Sequence, residues 1–270
     1  MNMPQPGQMP SFLVKMKQNR KCVFCYKALQ YIRHVDPIYW VMIISVALIL
    51  FVAFVPPRFW QHMWSTVREH AFTLVMLALF GILSLSLVWT AGQKIDAAVF
   101  LFFNRRGERH PWLDNIMRLL TELGNSFVTA AVAVFLFIYI NSSAAYAFIL
   151  GSLILWLIVE SIKAVLRRDR PFLKLQGVRV VGSRARGKSF PSGHTSQAFF
   201  TAVLLLRHID GGLPAYIAIY ALATAVGITR MYLGMHYPRD VLGGAILGIF
   251  WGVIGSTFNN HIIELIGTAV

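Results

Sequence analysis

A histidine and an aspartate four residues apart, His236 and Asp240, form the pair in this sequence best suited to chemistry. A carboxylate that accepts a hydrogen bond from one imidazole nitrogen fixes the tautomer and makes the other nitrogen a better base or nucleophile. Arg230 precedes the pair and offers the planar N–H fork that binds phosphate in two places. The alternative is a polar loop between helices, with Tyr232 and Tyr237 as interfacial aromatic residues. This segment alone favours neither interpretation.

A second cluster, Pro191 to His194, stands immediately before an apolar run. A Pro-Ser-Gly turn that opens a helix exposes backbone N–H groups at the positive end of the helix dipole, where a phosphate oxygen can bind. Gly193 permits close approach, Ser192 adds a hydroxyl donor, and His194 can give a proton to a leaving oxygen. The alternative, an ordinary helix N-cap beside a histidine without function, is favoured when the segment is taken alone.

A third cluster, Lys163 to Pro171, reads KAVLRRDRP. Lys163 and Arg170 are seven residues apart, so a helix would place them on one face, two turns apart, within reach of one anion. Pro171 discourages the helix from continuing. The alternative is a group of cations that caps a membrane helix. Asp169 is expected to tune the charge of the cluster rather than to catalyse. The segment alone favours this alternative.

The three clusters can meet at one face of a membrane because of the order of the apolar segments. Those that begin at Thr195 and Leu213 can form one helical hairpin, which returns the chain to the same side. An extramembrane loop joins the other two clusters. Since three unrelated coincidences at one place are improbable, we predict a shared anion site. Its residues are Lys163, Arg170, Ser192, Gly193, His194, Arg230, His236 and Asp240.

The elements that must position these clusters are apolar helices. The chain of 270 residues is 57% hydrophobic and 13% charged, which excludes a soluble protein and predicts an all-α polytopic membrane bundle. Seven windows have the required hydropathy. They are Ile38 to Val55, Ala71 to Ala91, Ser126 to Ile140, Ala144 to Ile162, Thr195 to Leu206, Leu213 to Thr229 and Val241 to Phe258.

Several connecting features refine this bundle. The segment Gln93 to Gly124 is too charged to span and predicts an interfacial helix pair packed against the bundle. The two residues Asn141 and Ser142 predict a tight antiparallel hairpin between the helices on either side. Glycines at every fourth position from Gly244 to Gly252 form a small-residue face that predicts close helix packing.

The N-terminal part carries no comparable chemistry. We divide the chain into a basic, partly disordered segment (1–37), an additional hydrophobic helix with its loop (38–70) and a membrane domain (71–270). Cys22 and Cys25 form a lone C-x-x-C without the second pair that a structural zinc site requires, so we predict a reduced pair without function.

The net charge of +14 does not predict a nucleic-acid partner. The excess lies between apolar windows, no recognition fold suits so apolar a chain, and the positive-inside rule with anionic headgroups accounts for most of the charge. The stretch Arg167 to Lys188 carries more cations than topology requires. The expected partners are membrane lipids and a phosphorylated lipid substrate.

These motifs resemble the type 2 phosphatidic acid phosphatases, which include bacterial phosphatidylglycerophosphate and undecaprenyl diphosphate phosphatases. The family signature is K-x6-R-P, then P-S-G-H, then S-R-x5-H-x3-D. The three clusters match it, and the one departure is Thr229 where serine is usual. Threonine keeps the hydroxyl, so we expect activity to be retained. The resemblance covers the chain from about Ala71 to Phe258 and implies a six-helix core.

The resemblance also implies the roles of the site residues. His236 would be the nucleophile that forms a phosphohistidine, Asp240 would orient it, and His194 would protonate the leaving group. The phosphate would be held by Lys163, Arg170, Ser192, the Gly193 amide and Arg230. No cofactor is expected, and few of the 11 acidic residues lie near the site, so no carboxylate cluster suits Mg²⁺.

Sidedness, substrate and reaction keep alternatives open. Seven spans and a cytoplasmic basic N-terminus would place the site in the cytoplasm, whereas the resemblance implies a bacterial inner-membrane protein with an outward-facing site, which we favour. The expected substrate is undecaprenyl diphosphate or phosphatidylglycerophosphate in the first place, phosphatidic acid in the second and a lipid A phosphate in the third. The alternatives are a lipid-to-lipid phosphotransferase on the same scaffold and a non-enzymatic lipid transporter or scaffold.

Overall fold

The computed structural model describes residue 61, residues 71–209 and residues 211–267, with the backbone alone for residues 109 and 256–267. Every regular element in these ranges is helical, which confirms the all-α prediction. The elements are α1 (Ala71–Ser86), α2 (Thr90–Asn104), α3 (Arg106–Arg109), α4 (Leu113–Glu122), α5 (Ser126–Tyr139), α6 (Ser142–Leu166), α7 (Pro171–Lys174), α8 (Gly193–Leu205), α9 (Gly212–Tyr232) and α10 (Pro238–Gly267).

The apolar windows predicted from residue 71 onward coincide with α1, α5, α6, α8, α9 and α10. Three segments are long and apolar enough to cross a membrane, Ser142–Lys174, Gly212–Tyr232 and Pro238–Gly255, and the number rises to five if each of two bent helix pairs is one span. The chain is therefore a multi-pass membrane protein. The window Ile38 to Val55, the basic segment 1–37 and the pair Cys22 and Cys25 lie outside the described residues.

Two sharp bends redirect the chain toward the site. α2 turns by 98° from α1, and α5 turns by 50° from α4. Asn125 caps α5, since its side-chain oxygen accepts a 3.0 Å hydrogen bond from the Val128 N–H. α2 and α4 occupy the segment predicted as interfacial helices. They carry Asp96 to Arg239 and Thr121 to Arg230, near the ends of α9 and α10 that hold the first cluster.

The core lies where α8 packs between α6 and α10. Phe148 and Leu155 of α6 and Phe200 of α8 are fully or almost fully buried in it. The predicted glycine face of α10 lies against α8, because a Cβ at Gly244 would stand only 2.6 Å from the Ser192 carbonyl oxygen. Close helix approach therefore fixes the N-terminus of α8 beside the start of α10.

This packing predicts a large difference between two glycines. A Cβ at Gly252 would lie 2.7 Å from the Val203 Cβ, whereas a Cβ at Gly81 meets nothing within 4 Å. Gly252→Leu is expected to cost about 1–3 kcal/mol of stability through overpacking, which lowers Tm by several degrees. Thermal unfolding of the detergent-purified protein measures this change, with Gly81→Leu as the control. Equal Tm values for the two variants would contradict the helix contact.

Candidate active site

The predicted site residues come from five separate parts of the chain and meet at one end of the bundle. Lys163 belongs to the last turn of α6, Arg170 precedes α7, and Gly193 begins α8. Arg230 is in the last turn of α9, and His236 lies in the short loop before α10. A cavity of about 630 Å³ is lined by Lys163, Arg170, Gly193, His194, Arg230 and His236.

Two of the predicted residues stand behind the cavity rather than in its wall. Ser192 and Asp240 are fully buried. The Ser192 hydroxyl accepts a 2.9 Å hydrogen bond from the Thr195 hydroxyl, and the Ser192 N–H donates to the Asp240 carbonyl at 2.9 Å. In the Pro-Ser-Gly turn that opens α8, Gly193 is the residue that lines the cavity. A Cβ at Gly193 would stand 3.8 Å from Lys163 Nζ.

The geometry around His236 defines its tautomer. Arg170 Nη1 lies 3.1 Å from His236 Nε2, and a guanidinium only donates hydrogen bonds. Nε2 is therefore the acceptor with the lone pair, and the ring proton is on Nδ1. Nδ1 faces Asp240 Oδ2 at 3.6 Å, which is an electrostatic contact longer than a hydrogen bond. The Nε2 lone pair of His236 therefore accepts from Arg170 at the wall of the cavity in the unliganded site.

Burial and the positive charge of Arg170 lower the pKa of His236 to about 3, although Asp240 opposes this shift. The imidazole is neutral at physiological pH, as a nucleophile must be. Burial also lowers the pKa of His194 to about 3, and the neighbouring charge of Arg230 adds to the effect. Both histidines of the unliganded site are therefore uncharged.

Arg170 is held by its own surroundings. Its Nε donates to the Gly187 carbonyl at 3.1 Å, Nη2 to the Arg186 carbonyl at 3.0 Å and Nη1 to the Met235 carbonyl at 3.1 Å. With the contact to His236, four of the five N–H groups of a guanidinium are engaged. Arg170 therefore closes the 177–188 loop over the site and leaves one N–H for an anion.

The other two predicted cations are freer to bind an anion. Arg230 is buried, and its Nη1 donates to the Thr121 hydroxyl at 2.9 Å, while Nε has no hydrogen-bond partner among the residues that the structure describes. Lys163 donates to Glu160 at 2.8 Å on the wall of the cavity. An anion beside His236 would therefore meet the Arg230 fork and the Lys163 ammonium.

Sequence reasoning missed the charged residues behind Asp240. Arg168 Nη1 donates to Asp240 Oδ1 at 2.6 Å and also binds Asp96, which in turn accepts from Arg239. Arg168 falls within the third cluster, which could have drawn attention to it. Asp96 has no local signal, because the bend after α1 brings it to the site from a distant part of the chain.

The cavity continues from the charged end along α6 toward the outer surface. Leu153 and Trp156 line it and are each more than half exposed on the outer face of the helix. On the inner side Gln197 of α8 donates to the Ser152 hydroxyl at 2.9 Å. A polar head at His236 and an apolar tail along α6 could therefore occupy one continuous space.

Comparison with known proteins identifies the family. The PAP2 superfamily model matches residues 144–263, which include all eight predicted site residues. Undecaprenyl-diphosphatase BcrC of Bacillus subtilis is 33% identical over 153 residues, which are 55% of this chain and 76% of that protein. The chain belongs to the PAP2 superfamily. The family predicted from the three motifs is thereby confirmed.

Two further comparisons cover more of the chain. Phosphatidylglycerophosphatase B of Bacillus subtilis is 28% identical over 202 residues, which are 70% of this chain and 93% of that protein. The crystal structure of a transmembrane PAP2-type phosphatidylglycerolphosphate phosphatase from the same organism has a TM-score of 0.58 and is 28% identical. It covers 70% of this chain and 96% of that one. The PAP2 likeness therefore extends beyond the motif-bearing helices.

Proposed function

We propose that this protein is an integral membrane lipid phosphatase that hydrolyses a phosphomonoester or diphosphate through a phosphohistidine on His236. The observation that carries the proposal is a buried, neutral imidazole whose Nε2 lies at the wall of a cation-lined cavity, where it accepts from Arg170. The same cavity reaches the outer, lipid-exposed face of α6 at Leu153 and Trp156.

In the first step the Arg170 N–H turns from His236 Nε2 to a phosphoryl oxygen, and Nε2 attacks phosphorus. The bond from phosphorus to the leaving oxygen breaks with its electron pair on that oxygen. His194 gives a proton to the leaving oxygen. Because His194 is neutral in the unliganded site, it takes up this proton as the phosphate anion enters, since the anion's charge favours the imidazolium. Asp240 stabilises the positive charge that develops on His236.

In the second step water attacks phosphorus, and the bond to Nε2 breaks to release inorganic phosphate. His194 accepts the proton of the water and becomes an imidazolium again. It loses this proton when phosphate leaves, which restores both neutral histidines. Lys163, Arg230 and the Gly193 amide stabilise the phosphoryl oxygens in both transition states. Arg170 supplies one further N–H and keeps Nε2 directed at the cavity.

The reaction is proposed to need no metal ion. Among the residues that the structure describes, no three His, Cys, Asp or Glu side chains form a group that could hold one. The protein's own cations would supply the charge that a metal supplies in other phosphatases.

Within the proposed substrates, the charge of the cavity favours a lipid diphosphate. Lys163, Arg170, Arg186 and Arg230 line the cavity with one carboxylate, Glu160, so the wall carries four positive charges and one negative, a net +3. A phosphomonoester carries about −1.5 to −2, and a second phosphate adds roughly one further charge. We therefore expect undecaprenyl diphosphate to be a better substrate than phosphatidylglycerophosphate, phosphatidic acid or lipid A phosphates.

Arg186 provides a specific test of this preference. Its side chain is exposed at the cavity wall, whereas Arg184 on the same loop lies over the Phe172 ring at 5.8 Å. Arg186→Gln is expected to lower kcat/KM for undecaprenyl diphosphate about tenfold and for undecaprenyl phosphate less than threefold, because only the diphosphate reaches it. Arg184→Gln is the matched control. Equal losses with both substrates would contradict a second phosphate site.

The site is proposed to face outward from a bacterial inner membrane. Arg184 is exposed on the loop beside the cavity, so its sidedness reports that of the site. In a background in which Cys22 and Cys25 are replaced by serine, Arg184→Cys should react with a membrane-impermeant maleimide in spheroplasts. Labelling only after the membrane is permeabilised would place the site in the cytoplasm instead.

The function itself is tested by phosphate release from a panel of lipid phosphates and diphosphates by the detergent-purified protein, with EDTA present. Release from one lipid, unaffected by the chelator, is the expected result. Inhibition that Mg²⁺ reverses would contradict the metal-free site. A phosphorylated acceptor lipid in place of free phosphate would indicate a phosphotransferase, and no phosphorylated product at all would favour a transporter or scaffold.

A further inference from the structure

A chain of four charges, of which three are buried and Arg168 is half-buried, runs from Asp240 away from the cavity. Arg168 Nη1 donates to Asp240 Oδ1 at 2.6 Å, and its Nη2 binds Asp96. Asp96 also accepts from Arg239, at 2.7 Å from Nε and at 3.2 Å from the backbone N–H. Asp96 and Asp240 are 2% and 0% exposed, so neither carboxylate relies on solvent.

The chain of charges is balanced and joins three distant parts of the sequence. It has two carboxylates and two guanidinium groups, from α2, the segment after α6 and the start of α10. A buried charge that loses its partner is strongly unfavourable, which makes each contact sensitive to substitution. Arg168 is further fixed by the Tyr237 ring, whose centroid lies 4.3 Å from its guanidinium carbon.

The position of Asp240 depends on this chain. Its Oδ2 accepts from the Tyr237 N–H at 2.8 Å and from the Ser189 hydroxyl, and it faces His236 Nδ1 at 3.6 Å. Its Oδ1 is held by Arg168. Arg168 thus adds an anchor at Oδ1 to those that Tyr237 and Ser189 supply at Oδ2.

We propose that Arg168 and Asp96 are positioning residues for the nucleophile: Asp96 fixes the Arg168 guanidinium, which holds Asp240 in the orientation that directs His236. This proposal rests on the proposed role of His236. Neither Arg168 nor Asp96 lines the cavity, so their contribution should affect turnover and not substrate binding. A brace that only joins α2 to α10 would lower stability and leave the turnover of the folded protein unchanged.

Arg179, a second half-buried arginine with a carboxylate partner, supplies the matched control. Arg179 binds both Asp114 oxygens, at 2.7 and 2.9 Å, and its guanidinium carbon lies 5.1 Å from the Tyr232 ring centroid. It therefore has the same kinds of contact as Arg168 but no contact with Asp240. Arg179→Gln reports what the loss of an ion pair between a loop and a helix does by itself.

The test measures kcat, KM and Tm of the full-length enzyme with the lipid that the panel identifies. Arg168→Gln is expected to lower kcat about 100-fold with KM within about threefold of wild type, as a small misplacement of a reacting group does. Arg168→Lys keeps the charge and should recover part of kcat. Asp96→Asn should lower kcat about tenfold, and Arg179→Gln should lower Tm with kcat within about twofold.

A double-mutant cycle separates positioning from bracing. In an Asp240→Asn background, Arg168→Gln should lower kcat less than threefold further, because the group through which Arg168 acts is already lost. Additive losses would overturn the proposal, as would equal kcat effects of Arg168→Gln and Arg179→Gln. If the Arg168→Gln protein does not fold, Arg168→Lys and Asp96→Asn test the positioning role in its place. A wild-type kcat in both of these variants would overturn the proposal.

The outcome is separable from that of the proposed function. Loss of phosphate release in His236→Ala with wild-type kcat in the Arg168 and Asp96 variants overturns the positioning role alone. A wild-type protein without lipid phosphatase activity, or an active His236→Ala variant, overturns the proposed function and this inference with it.

Discussion

Replacement of His236 by alanine is expected to lower kcat by about 10⁴-fold or more and to leave the protein folded, since the loss of a nucleophile removes the covalent route entirely. The ring occupies the wall of the cavity rather than the apolar core, so its removal mainly enlarges a polar space. Phosphate release measured with and without the substitution gives the size of the effect. Thermal unfolding establishes that the variant is folded.

His208→Ala is the control for this experiment. His208 is exposed beyond the C-terminal end of α8, whereas the site lies at its N-terminal end. Its substitution should leave kcat within about twofold of wild type. Residual activity above about a hundredth of wild type in a folded His236→Ala protein would contradict the nucleophile assignment.

Arg230→Gln is expected to give the second largest loss, about 10²- to 10³-fold in kcat/KM. Arg230 is buried, oriented by Thr121 and directed into the cavity, so its charge acts on the phosphoryl oxygens with little screening by water. Steady-state kinetics measure the loss.

Arg230→Lys should fall between wild type and Arg230→Gln, because an ammonium keeps the charge and loses the planar fork. Arg118→Gln, on the exposed face of α4, is the charge-matched control and should be close to wild type. A loss below about fivefold in Arg230→Gln would show that this guanidinium does not stabilise the transition state.

Features with a local sequence signal could be predicted. The four-residue spacing of His236 and Asp240 and the proline at the start of α7 are set within one or two helical turns. The apolar windows from residue 71 onward are equally local, because about 20 predominantly apolar residues define a membrane helix wherever it packs. These signals sufficed for the fold class and for the convergence of the cavity-lining residues.

Features set by tertiary contacts could not be predicted. Asp96 contacts Arg239 across 143 positions of sequence, because α2 bends back over the start of α10. Arg170 was predicted to bind phosphate, yet its N–H groups mostly engage carbonyls of the 177–188 loop and Met235. Which donors of a side chain remain free depends on how the loop closes, and no spacing in the sequence records that.

The most direct test of the central claim is detection of the phosphoenzyme. The purified protein is mixed with a lipid substrate that carries ³²P on its terminal phosphate, quenched in alkali within the first turnover and digested for peptide mapping. The proposed mechanism predicts label on the peptide that contains His236, stable to alkali, released by acid and absent from His236→Ala. Turnover without labelled protein at any time before the first product, or label on another residue, would contradict it.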